Sequence, residues 1–228
     1  MFLLPSAAAA IAFVFAVMLA RQFAERRRPF TLLWAIALAM YAVASAMVAL
    51  GVLNGWTRLE FQVYWALGAV LNVPFLAAGE IVLLFRPRWV LWAAWLVLVF
   101  SIAYTVTVLR AAAVDTAALA ERLPSGKEVF GAGTPAQHLP QIFSYPAYAI
   151  LVVGACWSAW KMRGHPELRD RFVGTLLIAV GATIVAGGAT FAAFGMVAGF
   201  IVTLVVGIAV MFGGFLRASR RTPARTAA

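Results

Sequence analysis

Long apolar stretches, separated by short polar connections, make up most of this chain. Each stretch has about 20 residues, enough to cross a hydrocarbon core of roughly 30 Å as a helix. The apolar residues run continuously, whereas the strands of a membrane barrel alternate apolar and polar positions. The pattern predicts an all-α, polytopic bundle of seven transmembrane helices. The predicted spans are about 4–21, 30–52, 61–85, 88–109, 140–160, 172–191 and 196–216.

Composition leads to the same expectation. Of the 228 residues, 64% are hydrophobic and only 11% are charged, whereas soluble domains have about 45–50% apolar and about 25% charged residues. A water-facing fold could not hide this much apolar surface. The first expected partner of the chain is therefore the lipid bilayer.

The basic residues are divided unequally between the two ends of the predicted helices. Fourteen of the 18 Lys and Arg residues lie at the ends joined by 22–29, 86–88 and 161–171, or in the tail from 217. Because an excess of Lys and Arg marks the cytoplasmic side, the N-terminus is predicted outside and the C-terminus inside. The net charge of +10 then suits anionic headgroups of the inner leaflet and gives no indication of nucleic-acid binding.

The predicted organisation is a single transmembrane domain over residues 1–216, followed by a basic cytoplasmic tail over 217–228. One connection, 110–139, is long and is predicted outside. Asp115 is expected to cap a short helix there, and Pro124 to Gly126 to end it. Loops of this length are usually functional or disordered, so the alternatives are a lid and a mobile loop.

Glu80 is the one acidic residue within the predicted spans. From Arg86, at the predicted inner end, the helical rise of 1.5 Å per residue places it about 9 Å into the bundle. An ionised group near the bilayer centre costs about 2.5–3.5 kcal/mol on insertion scales, so such acids face the bundle interior and have a partner. Two interpretations remain open: Glu80 pairs with an inner arginine and fixes its helix, or it binds a proton, cation or ligand in a cavity.

Asn72 and Pro74 precede Glu80 on the same predicted helix. Pro74 frees the carbonyl of residue 70 and favours a kink. Trp65, Gly68, Asn72 and Gly79 form a stripe of small and polar residues. One hypothesis is that Asn72 contacts a ligand at mid-depth beside this kink, and the alternative is a close helix–helix contact.

A second group of polar residues lies toward the predicted outer side. The fifth span presents Gln141, Ser144, Tyr145 and Tyr148, and the fourth presents Tyr104 with Ser101, Thr105 and Thr107 at the same depth. We expect either a polar vestibule beneath the long loop or ordinary interfacial anchors.

Several chemistries lack the residues they need. Both lysines, Lys127 and Lys161, lie outside the predicted spans, as do His138 and His165, which argues against retinal and haem. No CxxC, HExxH, GxSxG or phosphate-loop pattern occurs. The sequence predicts a non-enzymatic protein without a cofactor or a metal site.

Internal similarity suggests a parallel repeat. The stretch "TLLWAIALAMYAVASAMVALG" (31–51) aligns without a gap on "TLLIAVGATIVAGGATFAAFG" (175–195). A three-plus-one-plus-three arrangement resembles the SWEET and PQ-loop transporters. Their Pro-Gln is present at Pro140–Gln141, but Pro5 of the first span is followed by Ser6.

The stretch "YWALGAVLNVPFLAAGEIVLLFRPR" (64–88), with "GTLLIAVGATIVAGGATFAAFG" (174–195) and "VMFGGFL" (210–216), is similar to an uncharacterised family of bacterial, actinobacterial-type, seven-helix membrane proteins. The resemblance implies a bacterial cytoplasmic (inner) membrane location and brings no catalytic residues.

The leading functional hypothesis is a small transporter or permease-like protein for a small or amphiphilic molecule, with a central cavity lined by the third, fourth and fifth spans. Its candidate ligand-binding or coupling residues are Glu80, Asn72, Pro74, Gln141, Tyr145, Tyr148 and Tyr104. The alternative is a non-enzymatic sensor that binds a ligand or lipid, or an accessory subunit of a membrane complex. Either protein could be a homo-oligomer or have a membrane partner.

Overall fold

The computed structural model describes residues 2–85, 87–121, 123–163, 169–194 and 196–218. Over these residues the chain is all-helical. The helices are α1 (Leu3–Arg26), α2 (Pro29–Asn54), α3 (Arg58–Leu84), α4 (Arg88–Ala111), the short α5 (Gly126–Phe130), α6 (Pro135–Met162), α7 (Arg169–Ala193) and α8 (Val197–Ala218).

Six of these helices are long and apolar enough to cross a membrane: α1, α2, α3, α4, α6 and α8. In α7 the qualifying apolar stretch is shorter, Phe172–Gly188. These helices confirm the predicted helical membrane bundle, whereas the number of seven crossings stays a prediction. The long helices also extend beyond the predicted spans, because a helix continues its backbone hydrogen bonding into polar flanking turns such as the one ending at Arg26.

The packing order of the long helices is a closed ring. Along this ring α1 contacts α2, α2 contacts α3, α3 contacts α6, α6 contacts α7, α7 contacts α8, and α8 returns to α1. Tyr41 of α2 reaches across the ring and donates a hydrogen bond to the Leu204 carbonyl of α8 at 2.9 Å. Helix α4 lies outside the ring and packs mainly on α3 and α6.

Glycines permit the closest contact within the ring, between α7 and α8. A Cβ on Gly181 would lie 2.6 Å from the Gly207 carbonyl oxygen, and one on Gly207 would lie 2.8 Å from the Gly181 carbonyl oxygen. Because both obstacles are backbone atoms, a side chain at either position would force the helices apart. Small residues serve this purpose in membrane helices generally.

The two ends of the ring differ. The end where α1, α3, α6 and α8 finish carries Arg26, Arg88, Lys161 and Arg217 among other basic residues; we call it the basic end. Residues 112–121 and 123–134, which we call the cap, cover the opposite end, the capped end. In the cap, Leu119, Leu123, Val129 and Phe130 are buried in the main core. These apolar side chains hold the cap on the bundle, which favours the lid interpretation over the mobile loop.

The cap also corrects the predicted position of its helix. The Asp115 Oδ1 atom accepts a hydrogen bond from the Ala117 amide at 2.9 Å, as an N-cap would. However, only the 3₁₀ turn Ala118–Ala120 follows it. The α-helical turn α5 begins at Gly126 with Ser125 as its N-cap, where the sequence predicted the end of a helix. The Ser125 amide and hydroxyl donate to the Glu128 carboxylate, and these hydrogen bonds hold the pKa of Glu128 below its ordinary value. This reciprocal capping box starts the helix.

Candidate functional site

Helix α3 changes its hydrogen bonding midway, over the π-helical segment Trp65–Leu71. Pro74 has no amide hydrogen, so the carbonyl of Val70 loses its partner within the helix. Ser144 of α6 replaces it: its hydroxyl lies 2.7 Å from the Ala69 carbonyl oxygen and 2.9 Å from that of Val70. The break at Pro74 is thus held by a neighbouring side chain, as proline breaks in membrane helices commonly are.

Glu80 lies about one turn before the C-terminal end of α3 and faces the ring interior. It is buried, with 6% of its surface exposed. Its Oε1 atom has no hydrogen-bond partner. A Cβ on Gly154 of α6 would lie 2.7 Å from Glu80 Cγ and 3.2 Å from Oε1. The space for this carboxyl group therefore depends on a residue without a side chain.

A cavity of ≈ 80 Å³ lies beside the Glu80 carboxyl group. Since one water needs about 10–15 Å³, the cavity has room for several waters or for a ligand of a few heavy atoms. Its polar lining consists of Glu80, the hydroxyls of Ser158 and Thr175, and the Trp34 indole. The rest is apolar: Phe15, Leu19, Leu38, Leu76, Leu83, Leu151, Ala155, Ile178, Ala179, Met211 and Phe215.

All six helices of the ring contribute to this lining, namely α1, α2, α3, α6, α7 and α8, and α4 does not. The sequence-based prediction of a cavity between the third, fourth and fifth spans is therefore wrong in its helix set. The physical reason is the position of α4. It packs outside the ring, where Trp89, Trp92 and Leu96 are each about 70% exposed.

Trp34 of α2 forms one wall of the cavity and is fixed by α3. Its Nε1 donates to the Leu76 carbonyl oxygen at 3.0 Å. A Cβ on Gly79 would lie 2.3 Å from the same nitrogen. Gly79 thus lets the indole lie directly on the α3 backbone, one residue before the acid.

The arginine partner proposed for Glu80 is not found in the described part of the chain. The salt bridge seen there joins Arg217 of α8 to Asp170 of α7, with Nε 3.1 Å from Oδ1. Arg86, the nearest basic residue in sequence, lies outside the described residues. Ser158 lies next to the Glu80 carboxyl group.

Asn72 is separated from the cavity. It is buried, with 4% of its surface exposed, and its Oδ1 has no partner, but it is not part of the lining. Eight residues of helix separate it from Glu80, about 12 Å along the axis. The two glycines of its stripe face α2: a Cβ on Gly68 would meet Ala44, as one on Gly79 meets Trp34. Trp65 of the same stripe instead donates to the Ala136 carbonyl oxygen of α6 at 3.0 Å. The small residues of this stripe thus serve a helix contact.

The predicted polar vestibule is not formed. Gln141 is exposed and pairs with His138 one turn earlier, while Tyr145 is 62% exposed. Tyr148 donates to the Thr183 hydroxyl at 3.0 Å, on α7. Tyr104 packs edge-to-face on Phe143. The stripe formed by 141, 145 and 148 lies on the outer face of α6, whereas Ser144 faces inward.

Sequence reasoning missed most of the cavity wall. Gly154 and Trp34 carry no sequence signal of a ligand site, because glycine is frequent in membrane helices and tryptophan is frequent near their ends. Ser158 and Thr175 are isolated hydroxyl residues within apolar stretches, and no nearby motif marks them as ligand-binding residues. A signal was available for Ser158: it follows Gly154 by four residues, which places both on one face of α6.

Comparison of the chain with protein-family models, curated proteins and solved structures finds no match. Its class therefore rests on the helices themselves. Six of them have the length and apolar composition of membrane spans, and large apolar side chains such as Leu3, Trp92 and Phe194 cover the outside. The chain is a multi-pass helical membrane protein with a buried carboxyl group in an internal cavity.

Proposed function

We propose that the protein is a small transporter or permease-like protein, and that the cavity beside Glu80 binds its ligand or coupling ion. The observation that carries this proposal is the Glu80 carboxyl group, buried with an unpartnered oxygen against a cavity of ≈ 80 Å³. Acids in this situation are costly, and where they persist inside membrane proteins they commonly mark ion or substrate pathways.

The difference between the two ends of the ring supports a ligand pathway that is closed at the capped end. The cavity lies toward the basic end, which the distribution of Lys and Arg assigns to the cytoplasm. The cap closes the other end over an aromatic cluster, in which Phe61 lies 5.6 Å from Phe130 and 5.9 Å from Trp65 between ring centroids. In this conformation a ligand would reach Glu80 from the cytoplasmic side.

Helix α3 offers a place to bend between these two ends. The π segment Trp65–Leu71 and Pro74 lie between the capped end and Glu80. Substrate sites of transporters are often formed by interrupted helices of this kind. We assign Pro74 to bending and Glu80 to ligand binding or coupling; Asn72 has no ligand contact in this scheme.

The ring order is also the one that a parallel repeat would have, with α1 to α3 corresponding to α6 to α8 and α4 as the linker. Such repeats are common in transporters. The repeat, a bacterial inner membrane location and seven crossings belong to this proposal.

Reconstituted liposomes test the function directly. Wild-type protein and Glu80→Gln would be compared for uptake of a radiolabelled amino acid, sugar, alkylamine and divalent cation, with a pH-sensitive dye inside. We expect wild type to accelerate the uptake of at least one solute, and Glu80→Gln to reduce that rate about tenfold or more, equivalent to about 1.4 kcal/mol. Glu25→Gln, the same change in an exposed acid of α1, serves as the control and should retain uptake.

Two results would overturn the proposal: uptake of every solute at the rate of empty liposomes, or equal uptake by wild type and Glu80→Gln. Binding without uptake would favour the second candidate, a membrane-embedded sensor or accessory subunit. The small volume of the cavity is the observation in favour of that candidate.

A further inference from the structure

We infer that the cavity beside Glu80 takes a small organic monocation, namely an alkylammonium ion with a short chain. The inference rests on the proposed function, because it takes this cavity as the ligand site. It goes further by naming the chemical class of the ligand.

The charge of the ligand follows from the lining. Glu80 is the one ionisable residue in contact with the cavity in the described part of the chain, and its Oε1 accepts no hydrogen bond there. An anionic ligand would meet a like charge with no cation to compensate it. A cation with N–H donors would instead supply the missing hydrogen bond and form a charge-assisted pair, the stronger kind.

The walls argue against a bare metal ion. Calcium needs about 6–8 oxygen ligands, whereas the side chains here offer one carboxyl group and the hydroxyls of Ser158 and Thr175. The described residues also contain no group of three His, Cys, Asp or Glu side chains that could hold a metal. Most of the lining is aliphatic or aromatic, so a ligand gains from having an apolar part.

Aromatic rings favour an organic cation further. Phe15 and Phe215 line the cavity and lie 4.9 Å apart between centroids, and Trp34 lines it from α2. The faces of such rings attract ammonium groups electrostatically, most strongly where water is excluded. An alkylammonium ion would thus place its charge at Glu80 and its carbon chain among these rings.

Size limits the chain length. A cavity of ≈ 80 Å³ admits a few heavy atoms beyond the ammonium group, and the walls beside the acid are close. A Cβ on Gly154 would already lie within 3.2 Å of the Glu80 Oε1 atom. Gly154 is therefore a specificity-determining position, because the absence of a side chain there leaves room at the unpartnered Oε1 atom for a ligand.

The test measures binding in nanodiscs by isothermal titration calorimetry. Ethylammonium chloride is the probe, ethanol is the neutral analogue of similar size, sodium chloride is the inorganic cation, and tetraethylammonium is the oversized cation. We expect wild-type protein to bind ethylammonium at least about tenfold more tightly than the other three. Glu80→Gln should weaken ethylammonium binding at least about tenfold, while Glu25→Gln should not change it.

A second variant guards against misfolding of Glu80→Gln. Ala155→Val leaves the acid intact but adds two methyl groups to the cavity wall, and it should also weaken ethylammonium binding. Equal binding of ethylammonium by wild type and Glu80→Gln would overturn the inference. So would binding of ethanol or sodium as tight as that of ethylammonium, or no ethylammonium binding by wild type.

The outcomes separate this inference from the transport proposal. Glu80-dependent ethylammonium binding without uptake of any solute would sustain the ligand class and reject transport. Glu80-dependent uptake of a sugar by a protein that does not bind ethylammonium would sustain transport and reject the ligand class.

Discussion

Pro74 and Glu80 both interrupt the apolar course of helix α3, and the two interruptions are resolved in opposite ways. At the first, Pro74 exposes a carbonyl, and the Ser144 hydroxyl of the neighbouring helix lies 2.9 Å from it. At the second, Glu80 carries a buried oxygen that nothing in the described structure contacts by a hydrogen bond. Both groups are enclosed by protein.

The difference separates architecture from candidate function. A buried polar group with a partner contributes to stability, whereas one without a partner costs about 1–3 kcal/mol. The Ser144 contact therefore explains how the chain tolerates a proline in a membrane helix. The Oε1 atom of Glu80 has no such partner within the described protein, and a bound ligand would provide one.

The largest expected change in stability concerns the contact between Gly79 and Trp34, which forms the cavity wall next to Glu80. Gly79→Ala should lower the free energy of unfolding by about 1–3 kcal/mol, since overpacking costs about this much. The added methyl would collide with the Trp34 indole and break its hydrogen bond to the Leu76 carbonyl. Unfolding of purified protein in mixed micelles with SDS measures this change.

Gly213→Ala is the matched control, because a Cβ there meets nothing within 4 Å. It should be neutral or stabilising by up to about 1 kcal/mol, the helix-propensity gain over glycine. Equal losses in both variants would show that close approach at Gly79 has no particular role.

A smaller loss is expected at the satisfied interruption. Ser144→Ala should destabilise by about 1 kcal/mol, between the membrane average of about 0.6 kcal/mol per interhelical hydrogen bond and the cost of an orphaned buried carbonyl. Ethylammonium binding should be retained. Ser6→Ala, whose hydroxyl bonds within its own helix at an exposed position, should change stability little, and a loss as large as that of Ser144→Ala would contradict this account.

The smallest expected change in the free energy of unfolding is a gain in stability. Glu80→Met replaces a carboxyl group whose Oε1 lacks a partner by an apolar side chain of similar length, so it should raise the free energy of unfolding, by up to about 1 kcal/mol. The same variant should lose ethylammonium binding. A clear destabilisation in the same micelle assay would instead assign Glu80 a structural partner and remove the contrast with Ser144.

The sequence by itself determined the membrane class, the approximate helix bounds and the presence of one acid among apolar spans. It could do so because a lipid environment disfavours charged residues along every span. The membrane class and the helix bounds therefore follow from the summed hydropathy of neighbouring residues. The break at Pro74 also followed from local chemistry, since the missing amide affects a carbonyl four residues earlier.

Only the tertiary structure decided which polar atoms have partners. Ser144 and Val70 are 74 residues apart, and Gly154 meets Glu80 across two helices. The polar stripe of Gln141, Tyr145 and Tyr148 looked equally suited to a site, yet it lies on the outer face of α6. Membrane helices are apolar on all sides, so sequence periodicity does not tell which face turns inward. Packing across the ring makes that choice, and it leaves Glu80 beside a cavity.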